Sequence, residues 1–96
     1  MYIRITPLSF DPSREQEVVR LTNDQLIPAF RRAPGFRHFY GATDRTTGRG
    51  SAVTLWDTRE QAEALRNVLG SQMLHGFQAV GAQLETSQVL EVIAEA

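Results

Sequence analysis

From Tyr2 to Leu8 the side chains alternate in kind. Ile3, Ile5 and Pro7 fall on one side; Tyr2, Arg4, Thr6 and Leu8 fall on the other. A period of two places successive residues on opposite faces of a strand, so a first strand is expected from Tyr2 to Phe10. Pro7 has no amide proton for the ladder, and pairing should weaken there or lie on an edge. Beyond Asp11 the period lengthens. Val19, Asn23, Leu26, Phe30 and Ala33 recur at helical spacing and form one inner stripe. Ser13 with Gln16 matches a capping box, and Asp11 with Pro12 offers an alternative helix start. Pro28 cannot bond back to Asp24, so a kink is expected near Leu26–Ile27.

Pro34-Gly35 stops the helix. Alternation resumes, with Phe36, His38, Tyr40 and Ala42 on one face and Arg37, Phe39, Gly41 and Thr43 on the other. The polar stretch 44–50 suits a hairpin loop. Ser51–Trp56 makes a third strand, Ala52, Thr54 and Trp56 opposing Ser51, Val53 and Leu55. Neither strand has a wholly polar face, so both sides of the hairpin should be covered. Thr58 and Gln61 repeat the capping-box spacing. The second helix is expected from Arg59 to about Leu69, with Ala62, Leu65, Val68 and Leu69 inward. Gly70-Ser71 breaks it, and a short helical piece follows from Met73 to Val80. Gln88–Ala94 is the last strand. The order βαββαβ predicts an α+β, ferredoxin-like domain over residues 1–96: a four-stranded antiparallel sheet with both helices on one face. The uncovered face then needs a partner, and a twofold homodimer is the commonest solution.

Composition narrows the function classes. A formal net charge of -1 gives no electrostatic case for nucleic acid. All ten basic residues are arginine, and six of them, Arg31, Arg32, Arg37, Arg45, Arg49 and Arg59, flank the hairpin. Cysteine is absent, which removes disulfides, thiolate metal sites and a cysteine nucleophile. No apolar run approaches a membrane span, and MYIRITPLSF lacks a signal-peptide core. A soluble cytoplasmic protein is expected. Two histidines far apart, with no carboxylate at ligand spacing, make no metal site.

The element order, the Pro34-Gly35-Phe36 that opens the second strand, and the WDT-x-E-x-A pattern from Trp56 resemble the antibiotic biosynthesis monooxygenase family. That family belongs to the dimeric α+β barrel superfamily. The resemblance covers essentially the whole chain. It implies two back-to-back sheets in a homodimer, with a pocket between sheet and helices in each subunit. Family members include cofactor-independent quinone-forming oxygenases, haem-degrading oxygenases and signalling-related enzymes. In the first group a tryptophan ends the third strand, as Trp56 does here. The asparagine often found earlier on that strand is replaced by Ala52. In the haem degraders a histidine after the second helix is the iron ligand, and His75 lies in that region. The accompanying first-strand asparagine and second-helix tryptophan are Thr6 and Leu65 here.

Candidate chemistry follows from these residues. Oxygenation of a phenol without a cofactor needs a dry apolar slot, aromatic walls and a few hydrogen-bond donors for the anion. His38, Trp56 and Asn23 are the candidate catalytic residues; Phe36, Tyr40, Phe77 and His75 are the candidate substrate contacts. His38 has two roles open to it: a neutral core or interface residue, or a general base at the pocket mouth. Asn23 either satisfies a nearby backbone group or enters the pocket. No cofactor and no metal are expected. The alternative function is a non-catalytic homodimer that binds a small apolar or aromatic ligand.

Overall fold

The computed structural model describes the backbone of residues 1–96 and all side chains except those of 66–68, so the inward placement expected for Val68 lies outside the described residues. Strand β1 (Tyr2–Ser9) is followed by a 3₁₀ turn (Pro12–Arg14) and helix α1 (Glu15–Leu21). The start follows the Asp11–Pro12 signal. The Asp11 carboxylate accepts from the Ser13 amide at 2.9 Å and from its hydroxyl at 2.8 Å. These bonds hold the Asp11 carboxyl below its ordinary pKa.

The kink expected before Pro28 is a π-helical turn (Thr22–Leu26), after which helix α2 runs from Ile27 to Arg31. The Ile27 amide bonds back to the Thr22 carbonyl, which widens the coil just where Pro28 cannot donate. Strands β2 (Phe36–Thr43) and β3 (Arg49–Trp56) form the hairpin. Asp44 Oδ1 accepts from the Thr46 amide at 2.8 Å and shapes its loop. Gly48 (φ +76°) closes the loop against β1. A Cβ there would lie 1.8 Å from the Phe10 carbonyl oxygen, so only glycine fits.

Helix α3 (Arg59–Glu63) begins with the complete Thr58–Gln61 capping box. Helix α4 (Leu65–Ala79) turns sharply at Gly70, whose φ is +70°. Strands β4 (Gln83–Leu84) and β5 (Gln88–Glu91) complete the sheet.

The antiparallel order is β2-β3-β1, with β4 and β5 sharing the last position beside β1. The fold is therefore the expected ferredoxin-like one, but its last strand starts earlier and is broken in two. The break lies opposite Pro7. The Pro7 carbonyl accepts from the Glu85 amide at 2.8 Å, yet Pro7 has no N–H to return. The register shifts by one residue between the Leu8–Leu84 and Ile5–Gln88 pairs, and the ladder resumes.

A second irregularity corrects the expected faces of β2. A bulge between Phe36 and His38 gives β3 one residue where β2 has two. Phe36 and Phe39 thereby share the helix-covered face, and His38 and Tyr40 move to the opposite one. Strict alternation grouped Phe36 with His38 and Tyr40; the bulge separates them.

On the covered face the cross-strand pairs form rows. One row is Phe36–Trp56–Tyr2; the next is Phe39–Thr54–Arg4–Val89; the third is Gly41–Ala52–Thr6. Phe30 stacks on Phe36 at 5.4 Å and meets Trp56 edge-on at 6.2 Å, so the first row is solid aromatic packing. On the opposite face, Leu90–Ile3–Leu55–His38 and Gln88–Ile5–Val53–Tyr40 form two rows, with Leu90, His38 and Tyr40 exposed among the described residues. No helix among the described residues is long and apolar enough to cross a membrane.

Candidate functional site

The third row decides where the cavity lies. Gly41, Ala52 and Thr6 are too small to reach the helices above them, and a cavity of about 420 Å³ opens over them. That volume suits a small organic ligand. Thr54 and Leu8 extend the floor. Val18, Val19, Leu26, Ile27 and Phe30 form one wall, from α1 to α2. Leu65, Leu69, Met73, Leu74 and Phe77 of α4 form the other. The π-helical turn matters here, because it brings Thr22 and Asn23 into the lining. Phe39 packs across the floor, its ring tip 3.2 Å from the place a Cβ on Gly41 would take.

Polar groups are few. The Thr22 hydroxyl is used, donating to the Val18 carbonyl at 2.8 Å. Thr6 and Ser87 share a hydroxyl–hydroxyl bond of 2.6 Å. Thr54 accepts from the Trp56 indole N–H at 2.8 Å. Asn23 is exposed on the rim, and its amide has no hydrogen-bond partner among the described residues. Arg45 and Glu15 also line the rim, paired at 3.2 Å. Three of the six arginines near the hairpin are paired: Arg37 with Asp57, Arg45 with Glu15 and Arg59 with Glu63.

Of the residues singled out in the sequence, Asn23 and Phe77 line this cavity. Trp56 does not. It is 1 % exposed, sits in the aromatic row, and reaches the cavity only through Thr54. Phe36 is in the same packing. His38 and Tyr40 lie together on the open face, ring centroids 4.4 Å apart, for the bulge described above. A base at the pocket mouth is thus not where alternation placed it. His75 is exposed and is not part of the lining. The residues present do not fit a haem: neither histidine borders the cavity. Among the described residues no cluster of three or more histidine, aspartate or glutamate side chains suits a metal ion. Sequence reasoning missed Gly41 and Thr54, and it marked Ala52 only as the residue standing where the resemblance expects an asparagine. The available signal was the run of small residues at paired positions on two strands, but pairing is set by a register that the bulge alters.

No family model matches the chain. No curated protein matches it. Solved structures do. A candidate antibiotic biosynthesis monooxygenase from Deinococcus radiodurans superposes with a TM-score of 0.74 at 20% identity, covering 100% of this chain and 95% of that one. MhuD, a haem degrader from Mycobacterium tuberculosis with two haems in its active site, gives 0.72 at 17%, covering 100% and 99%. SnoaB, a cofactor-independent oxygenase from Streptomyces nogalater, gives 0.64 at 16%, covering 98% and 94%. The chain has the fold of these antibiotic biosynthesis monooxygenase-like proteins, over its whole length.

Proposed function

We propose that residues 1–96 form a single domain of this monooxygenase-like type. It works in the cytoplasm as a homodimer, and its cavity takes a small aromatic or phenolic substrate that is oxygenated without a cofactor. The observation that supports this is the largely apolar cavity itself, with small residues as its floor and, as its polar contacts, a few hydroxyls, the Asn23 amide and the Arg45–Glu15 pair on the rim. A ring system seated in such a site displaces water from the apolar floor and leaves the electrons to the substrate. A phenolic substrate that loses its proton reduces dioxygen itself. For an anthrone the balance is anthrone plus O₂ to anthraquinone plus water. The protein's share is to hold the ring system and donate hydrogen bonds to the anion, from Asn23 at the rim and from the floor.

A second reading has its own support: binding without catalysis. Neither histidine borders the cavity, and the carboxylate on its rim, Glu15, is held by Arg45. Aerobic incubation with anthrone, followed by oxygen uptake and quinone absorbance, separates the two. Uptake that is lost in Ala52→Leu, which fills the floor, supports oxygenation. Binding without uptake contradicts it and leaves the ligand-binding homodimer.

The homodimer is supported by the open face. Leu90, Ile3 and Leu55 lie side by side across three strands, and Leu90 is 41 % exposed. An apolar row of this kind is a surface that a second copy of the chain can cover. Sedimentation of the native protein should give twice the chain mass, and Leu90→Lys should halve it. A native monomer would contradict the assembly.

A further inference from the structure

The bond from Trp56 to Thr54 leaves one group unused. A threonine hydroxyl has one proton to donate and two lone pairs. The indole N–H occupies one lone pair, at 2.8 Å. The hydroxyl proton has no acceptor among the described residues, although Thr54 is only 2 % exposed. A buried donor left unmade costs free energy, so native structures rarely keep one. Thr54 lines the cavity, and the cavity is the side on which an acceptor can arrive. The other hydroxyls are less available. Thr22 donates to Val18; in the Thr6–Ser87 pair one hydroxyl keeps its proton, but Thr6 is only half-buried and water can take it.

We propose that Thr54 is the hydrogen-bond donor that fixes an acceptor oxygen of the ligand, a ketone or phenolate oxygen, over the floor of the cavity. Trp56 is its positioning residue. It never touches the ligand; its N–H orients the hydroxyl and, by polarising it, makes it a better donor. The place is apt. Thr54 sits in the row between the solid aromatic packing and the hollow, so a ring system lying over Gly41 and Ala52 presents its edge to the hydroxyl. A site built to bond an oxygen rejects the analogue that lacks it more strongly than a purely apolar slot does. This inference rests on the occupied cavity proposed above and names the group that selects its occupant.

The test is calorimetric titration of anthrone and of dihydroanthracene, which share a shape and differ by the carbonyl oxygen. The native protein should prefer anthrone by about tenfold. Thr54→Val, which keeps the shape and removes the hydroxyl, should bind the two alike. Thr54→Ser should restore most of the preference, and Trp56→Phe should weaken it while leaving dihydroanthracene binding in place. If Thr54→Val does not fold, Thr54→Ala against Thr54→Ser makes the same comparison. A Thr54→Val protein that still prefers anthrone overturns the role of Thr54. So does a native protein that binds both ligands equally, which leaves the cavity reading standing. Native protein that binds neither overturns both.

Discussion

The row Phe36–Trp56–Tyr2 and the row Gly41–Ala52–Thr6 lie on one face of one sheet, under the same layer of helices. The first is filled. Trp56 is 1 % exposed, Phe30 is 2 % exposed, and the rings of Phe30, Phe36 and Trp56 meet at centroid distances of 5.4 to 6.2 Å. The second is hollow. Strand pairing does not separate them, since both rows belong to the same antiparallel ladders and the β2 bulge adjoins the filled row, not the hollow one. Side-chain volume does. Interiors pack like organic crystals, so a row of small residues either draws the helices down or leaves a space. Here the aromatic row, with Phe30 above it, holds the layers apart, and Gly41 and Ala52 cannot bridge the gap. The filled end thus makes the hollow end possible.

That relation can be broken from either side. The largest effect is expected from Trp56→Ala. It empties the filled row and removes the donor to Thr54, and should cost about 3–5 kcal/mol in chemical denaturation. A loss below about 1 kcal/mol would mean that Trp56 does not prop the layers. Ala52→Leu tests the other side. A side chain added to a real void should change stability by less than about 1.5 kcal/mol, whereas the same change in a packed core costs more. Ligand binding should be lost all the same. Marked destabilisation would show that the space is already filled in solution.

The smallest effect lies away from both rows. The depressed Asp11 pKa means that its stabilisation is present at neutral pH and is lost as the pH falls through its folded value. Asp11→Asn keeps an acceptor oxygen and abolishes that titration. The native protein's small advantage over Asp11→Asn should therefore fade on acidification, as thermal melts over a pH series would show. A difference that stays constant with pH would contradict the Asp11–Ser13 assignment.

Element order was legible because it rests on local signals: alternation in β1 and β3, capping at Asp11 and Thr58, and stops at Pro34-Gly35 and Gly70. The interruptions were legible in kind, since Pro7 and Pro28 each remove a donor. Their form was not. Nothing local shows that β1's neighbour divides into two pieces, or that the first helix answers Pro28 with a π turn. The site was less legible for a related reason. One bulged residue after Phe36 moved His38 and Tyr40 to the other face, and a face assignment made by counting in twos has no defence against that. Helical spacing grouped Asn23 with the inner stripe, and it reaches the cavity at the exposed rim beside the half-exposed Val19, while Phe77 is buried in the wall. Gly41, Ala52 and Thr54 act through smallness or through one orphaned proton, and neither property shows until the strands are paired.

The most direct test of the central claim is amide and methyl chemical-shift mapping of the native protein on addition of anthrone. The account predicts shifts at Gly41, Ala52, Thr54 and the Met73 methyl, with His38, Tyr40 and Leu90 unmoved. Shifts confined to His38, Tyr40 and Leu90 would place the ligand on the open face of the sheet and contradict it.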